Sequence, residues 1–220
     1  MRQTLTALVL ILALCLTGCT GETIQTPDPP EVSPTSTPTP ERTDFTLPYD
    51  PSASLHPITG SSRANLVLAS LVYQGLFELD NTFTPHEVLC SAYSVSEDGL
   101  TWTFTLSDAV FSAAAPLTAA DVVSSLELAR TSTLYAGRLT EVREIAADEN
   151  GAVVMTLARP NGALPALLDI PVIRDSGDGS MPLGTGPYAF VEDSGPLRLA
   201  RQGSAPDTAP AEIALSPIEG

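Results

Sequence analysis

The sequence predicts an α+β fold, and three observations carry that prediction. Residues 100–106 alternate Leu100, Trp102, Phe104 and Leu106 with Thr101, Thr103 and Thr105, the period of a strand with one buried face. The stretch "PLTAADVVSSLELAR" follows as a helix, with Thr118 placed to cap it and Asp121 three residues on to complete a capping box. No strand–helix–strand rhythm recurs, so a doubly wound parallel sheet is disfavoured.

The other elements follow in order. "FTLPY" reads as a first strand, broken by Pro48. The turn-rich "DPSASLHPITGSS" leads to Ser61 or Ser62 as a helix cap. "RANLVLASLVYQGLFELD" reads as a helix to about Leu76, with Leu68, Leu71 and Val72 on one face and Gly75 near its end; "LFELD" can begin a strand. Asp98-Gly99 supplies a hairpin turn between a strand over residues 93–96 and the alternating strand. Asn150-Gly151 does the same inside "EVREIAADENGAVVMTLAR". "GALPALLDI" suggests a short helix, "GPYAFVEDSGPLRLARQ" a further hairpin, and "AEIALSPI" a last strand. Trp102 and Phe104 are expected in the core, and Cys90 is expected to be a half-buried free thiol.

Before residue 45 the chain has a different character. Arg2 precedes an apolar run over residues 5–16, too short to cross a bilayer, which takes about 20 residues. The run closes on Leu16-Thr17-Gly18-Cys19, which resembles the lipobox of bacterial lipoproteins. That resemblance implies cleavage before Cys19 and a diacylglycerol on its sulfur; buried acyl chains gain roughly 0.8 kcal/mol per methylene, enough for two or three to hold a protein at a membrane. Residues 20–43 are rich in Pro, Thr and Ser, with almost no side chain that could enter a core, as in a semi-stiff spacer. The expected division is a signal peptide over residues 1–18, a lipidated Cys19 with its linker over 19–44, and a folded part over 45–220.

The 220 residues hold 26 acidic side chains against 10 basic ones, all arginine, for a net charge of −16. Without a basic cluster the chain is a poor partner for nucleic acid, whose binding depends on neutralising phosphates. The scattered acids read either as a solvated surface or as a preference for cationic ligands. His56 and His86 stand alone, and Cys15 and Cys19 lack the second half of a zinc site, so no metal or cofactor is implied. No nucleophile elbow, P-loop or paired-histidine zinc motif is present, and the carboxylate pairs Glu97-Asp98 and Asp148-Glu149 lie at turns. An enzymatic reading has no positive support. Gly184-Thr185-Gly186 is half of a dinucleotide fingerprint, with Pro187 where a helix should open.

Three stretches in order, "LASLVYQGLFELD", "YSVSEDGLTWTFTLSDAVFSAAAPLTAADVVSSLELAR" and "PLGTGPYAFVE", resemble the family 5 extracellular solute-binding proteins, the peptide, dipeptide and nickel receptors of ATP-binding cassette importers. The resemblance runs from about Phe45 to Glu219. It implies the first lobe of a type II periplasmic-binding-protein fold, a solute such as a peptide, permease subunits as partners, and a place at the outer face of the bacterial membrane. It also places the family's first cleft-lining loop at Thr59-Gly60-Ser61-Ser62, where Gly and Ser allow close backbone approach, with plain helix capping as the equal alternative. Tyr135 matches a region that can face the ligand. Gly184, Thr185, Gly186 and Tyr188 are expected to shape a turn and strand.

Two departures stand out. "FSAAAP" replaces the family's His-Asp-Gly type turn before the capped helix. Family members also run to roughly 500 residues, two lobes with two domain-sized cores, so this chain is expected to lack the second lobe. It is then a fragment of a longer receptor or a truncated receptor with weak binding; a surface interaction protein that keeps the fold, or a remnant without function, are the alternatives.

Overall fold

The structure is a computed structural model that describes residues 45–175 and 181–218. The expected leader, Cys15, the lipidation site Cys19 and the linker lie outside the described residues. The described residues form an α+β arrangement of sheets and helices, as the sequence predicts.

The first sheet has the order β1-β10-β9-β8, formed by β1 (Thr46–Tyr49), β8 (Tyr188–Val191), β9 (Arg198–Arg201) and β10 (Glu212–Pro217). The pairs β8–β9 and β9–β10 are antiparallel, whereas β1 lies parallel to β10, with Thr46 opposite Ala214. Pro48 fits because β1 is an edge strand, where a missing ladder N–H costs little. The second sheet is antiparallel, in the order β4-β5-β7-β6, from β4 (Cys90–Val95), β5 (Thr101–Leu106), β6 (Val142–Ala147) and β7 (Val153–Leu157). Its turns are the expected ones. Gly99 and Gly151 have φ of 70° and 80°, the left-handed region that glycine enters without a Cβ penalty. A short hairpin of β2 (Phe77–Leu79) and β3 (Pro85–Glu87) stands beside them.

Helix α1 (Arg63–Val72) buries Leu68 and Val72, with Leu71 only partly covered. It stops at Val72, short of the expected Leu76, and the reason is in the backbone. Tyr73 is extended (φ −123°, ψ 140°), and the carbonyls that would continue the helix bind other segments. Val72 accepts Gly186 N–H (2.9 Å), Gln74 accepts Val172 N–H (2.8 Å), Gly75 accepts Leu89 N–H (3.3 Å) and Leu76 accepts those of Val88 and Cys90 (3.1 and 3.2 Å). Ser62 occupies the N-cap position, but its hydroxyl makes no capping bond.

Helix α2 (Ala119–Thr131) begins as expected. The Asp121 carboxylate accepts the Thr118 N–H at 2.8 Å and the Thr118 hydroxyl at 2.5 Å. In the "FSAAAP" turn before it, Ala114 holds φ at 58°, a conformation that suits glycine, so the turn persists at a strain cost of roughly 1 kcal/mol. A 3-10 turn over Leu164–Leu167 stands where the short helix was expected.

Trp102 and Phe104 are buried (5% and 0% exposed), stacked at 6.0 Å, with Phe77 edge-on to Phe104 at 6.1 Å. Cys90 is fully rather than half buried, 2% exposed, because it opens β4 beside the carbonyl of Leu76. Burial pushes its thiol up to about 11, which leaves it neutral and unreactive. Among the described residues no helix is long and apolar enough to cross a membrane.

The start of α2 is tied to the segment that returns toward the first sheet. Arg174 Nε and Nη2 donate to the two Asp121 oxygens (2.8 and 2.6 Å), Nη2 also donates to the Pro116 carbonyl (2.8 Å), and the guanidinium lies 4.5 Å over the Phe111 ring. Burial alone raises the Asp121 carboxyl, and the bonds from Arg174 and Thr118 outweigh it, leaving it below the usual carboxylate value. Replacing Arg174 with Ala is therefore expected to cost about 2 kcal/mol in urea unfolding at neutral pH, the range for hydrogen bonds to a charged group. Because the folded value of Asp121 is depressed, this contribution is present above the unfolded value of about 4 and fades as pH falls through the folded one. The gap between wild type and variant should close in acid; a gap that is constant with pH would contradict the assignment.

The Gly184-Thr185-Gly186 turn lies on the end of α1. A Cβ at Gly184 would stand 2.0 Å from the Val72 oxygen, and one at Gly186 2.6 Å from the Val72 carbonyl carbon. Backbone cannot yield to that, so Gly184→Ala should destabilise by about 3 kcal/mol or more, whereas Gly203→Ala, with nothing within 4 Å of the added carbon, should change stability by less than about 0.5 kcal/mol. Thermal melts of the two variants check this directly.

Candidate functional site

One cavity of about 390 Å³ lies where α1, β2 and three loops meet. Helix α1 and its extension supply Leu66, Ser70, Tyr73 and Gln74; β2 supplies Glu78 and Leu79. The loop before α1 contributes Pro57, the turn after α2 contributes Tyr135, and the segment after the second 3-10 turn contributes Asp169 and Pro171.

Each wall is fixed by identifiable bonds. The loop over residues 50–54 is held by Asn65, 2% exposed in the first turn of α1. Its Nδ2 donates to the carbonyls of Asp50, Ala53 and Ser54 (2.9, 3.1 and 3.2 Å), and its Oδ1 accepts the Asp50 N–H (2.8 Å). His56 Nδ1 accepts the N–H groups of Ile58 and Thr59 (3.1 and 3.3 Å), and burial lowers its pKa, which favours the neutral ring those bonds require. The Ser132 hydroxyl ties the end of α2 to this loop by donating to the Ile58 carbonyl at 2.5 Å, and its backbone carbonyl accepts the Ala136 N–H at 3.0 Å. Tyr135 is thereby presented beside Pro57.

Behind Tyr135 stands an ion pair. Arg138, in the 3-10 turn Ala136–Leu139, donates through Nη1 to Asp169 Oδ1, and its guanidinium lies 5.2 Å over the Tyr135 ring. Burial raises the Asp169 carboxyl above its usual value despite the opposing Arg138 charge. Burial likewise raises the phenols of Tyr73 and Tyr135, and Tyr73 donates to the Pro182 carbonyl at 2.9 Å, so both are neutral donors at physiological pH.

Of the residues expected at a ligand site, the structure brings only Tyr135 to the cavity wall. Thr59 and Ser61 are exposed, Ser62 is half-buried at the helix start and Gly60 is buried; none of the four lines the cavity, and their loop reaches it through Pro57 instead. Gly60 is required for another reason, since a Cβ there would meet the His56 oxygen at 2.6 Å. Gly184, Thr185 and Gly186 pack on α1 as a turn. Tyr188 is buried at the start of β8, donating to the Pro210 carbonyl at 3.0 Å. His86 is an exposed surface residue 3.1 Å from Asp80. Asn65, Arg138 and Asp169 were not singled out in the sequence. Asn65 left one signal, a polar residue on an apolar helix face; Asp169, inside "ALLDIPVI", left none.

The chain's likeness to known proteins agrees with this architecture. Residues 84–201 match the bacterial extracellular solute-binding proteins, family 5, middle region. A probable peptide ABC transporter periplasmic-binding protein of Sinorhizobium fredii is 28% identical over 163 residues, 68% of this chain and 29% of that protein. The glutathione-binding protein of Salmonella typhi is 33% identical over 149 residues, 61% of this chain and 29% of that one. The chain thus spans under a third of the length of the curated relatives it matches. The solved structure of the binding protein MoaA of A. tumefaciens R10, in complex with mannopinic acid, superposes with a TM-score of 0.68 at 22% identity, covering 79% of this chain and 40% of that one. The match across residues 84–201, more than half of the chain, leads to one conclusion: the chain belongs to the bacterial extracellular solute-binding proteins, family 5.

Proposed function

We propose that this chain is the first-lobe portion of a lipid-anchored, substrate-binding receptor for an ATP-binding cassette importer of peptide-type solutes, working at the outer face of the bacterial membrane. The observation that carries the reading is the 390 Å³ cavity walled by Tyr135 and Asp169, with a rigid loop at its rim. Its apolar walls and few convergent polar groups are those of a small-solute site. Two relatives bear the names of peptide- and glutathione-binding proteins, which supports peptide-type cargo. In a two-lobed receptor this wall supplies half of the contacts, while the costs of association and ordering are met in full.

Titrating the isotope-labelled chain with a small set of unmodified tripeptides tests the cavity. The expected result is a saturable set of amide shifts at Ser70, Gln74, Tyr135 and Asp169, with dissociation constants on the order of 1 mM, about −4 kcal/mol, and their loss in Tyr135→Ala. Shifts confined to the Thr59–Ser62 loop, or none at all, would defeat it. Anchoring is checked by expressing wild type and Cys19→Ser in a bacterial host. The wild-type chain should sediment with membranes and the variant should be released; equal partition of the two would refute the lipid anchor.

A further inference from the structure

We infer that strand β4 is an interface: it pairs antiparallel with β4 of a second copy of this chain and joins two four-stranded sheets into one. The inference does not depend on the cavity.

Edge strands present unpaired N–H and C=O groups, and folded chains blunt them with charge, proline or cover. The two four-stranded sheets have four edges, and three of them are blunted in this way. Strand β1 carries Pro48, β6 carries the exposed Arg143 and Glu144, and no residue of β8 is exposed. Strand β4 is the exception. Its sequence is CSAYSV, without a charge or a proline, and every residue after Cys90 is exposed. In a chain with a net charge of −16 this is an uncharged strip.

The ladder fixes which groups are free. Ser96 N–H donates to the Thr101 carbonyl at 2.9 Å, and the register sets Ser94 opposite Thr103 and Ala92 opposite Thr105. Bonded pairs alternate along an antiparallel ladder, so Ser94 and Ala92 bond to β5, while the N–H and C=O groups of Tyr93 and Val95 point away from it. Among the described residues no strand pairs with that side of β4. The side chains of the same two residues are 45% and 48% exposed. The Tyr93 ring stacks on Trp102 and meets Phe77 edge-on, both at 5.7 Å, so a strand added here extends the aromatic face of the sheet.

The strand is complementary to itself. With a two-fold axis at Ser94, Tyr93 of each copy bonds through both backbone groups to Val95 of the other. Each aromatic ring then lies beside a β-branched side chain, a favourable cross-strand pair. The two Ser94 residues face each other in the non-hydrogen-bonded position, about 4.5 Å apart at Cα. Glu97, just past the strand, falls beside the uncharged Ser91 of the second copy. An axis at Val95 would instead set Tyr93 opposite Glu97, and an axis at Tyr93 would set Val95 opposite Ser91; both match an apolar side chain with a polar one. The acidic charge on the rest of each copy opposes association, so screening by salt tightens it.

The test uses the full chain, purified from a bacterial host in a non-ionic detergent and followed by sedimentation velocity. The expected result is a reversible monomer–dimer equilibrium whose dissociation constant falls roughly tenfold from low to high salt. Val95→Pro removes an N–H that β5 does not use, so the sheet keeps its ladder and the dimer should be lost. Val95→Glu keeps the N–H, adds a like charge to each copy and should abolish the dimer too; it decides the matter if Val95→Pro does not fold. The Ser94→Cys chain should cross-link to itself under a mild oxidant beyond the wild-type level, whereas Thr103→Cys, one strand further in, should not. A chain that stays monomeric at every concentration and salt level would overturn the pairing. So would a dimer that both Val95 variants retain, since its contact would lie on another face.

Discussion

The structure depends on a five-residue stretch of backbone, from Val72 to Leu76, where a helix ends and other parts of the chain bond to it. Its carbonyls accept N–H groups from Gly186, Val172, Leu89, Val88 and Cys90. Two glycines make the approach possible. A Cβ at Gly75 would lie 2.9 Å from the oxygens of Leu168 and Ile170, and one at Gly184 would overlap the Val72 carbonyl. Backbone hydrogen bonds add only about 1 kcal/mol each. Leaving one of those carbonyls buried and unpaired would cost about 1–3 kcal/mol, more than the bond itself contributes. Tyr73, Gln74 and Gly75 also line the cavity, so its floor is as rigid as the joint beneath it.

That joint also explains where the sequence was legible. Locally determined elements were read correctly: the alternating strand β5, the Asp98-Gly99 and Asn150-Gly151 turns, the Thr118–Asp121 cap. Each is written within a few residues, in side-chain period or turn chemistry. The end of α1 was misplaced because Tyr73, Gln74 and Leu76 continue a helical pattern; only the competing N–H groups, up to 114 residues away at Gly186, stop it. The parallel pairing of β1 with β10 and the short strand β3 were missed for the same reason, being set by distant partners and not by local pattern.

The site divides in the same way. Tyr135 and the Thr59–Ser62 loop both come from the family resemblance; Tyr135 lies on the cavity wall, and none of the four loop residues lines it. The polar residues that organise the walls act across sequence gaps: Asn65 on residues 50–54, Ser132 on Ile58, Arg138 on Asp169. At Gly60 the missing Cβ lets the backbone pass the His56 carbonyl, where an added carbon would stand 2.6 Å from the oxygen. The family's signature turn, Gly184-Thr185-Gly186, is likewise a packing device.

The carboxylates complete the picture. Asp50, Asp80, Asp98, Asp121, Glu141, Asp148 and Asp193 are all held below their usual values, chiefly by hydrogen bonds from neighbouring hydroxyls, N–H groups or arginines, and at Asp121 against the opposing effect of burial. Each stabilises the folded chain when ionised. Asp169 is shifted the other way: burial raises it, and Arg138 compensates only in part. Its folded value lies above the unfolded one, so the stability linked to it is complete below the unfolded value and is lost as pH rises through the folded one. Among these carboxylates the one that burial raises stands in the wall of the 390 Å³ cavity, and none of those that hydrogen bonds hold down lines it.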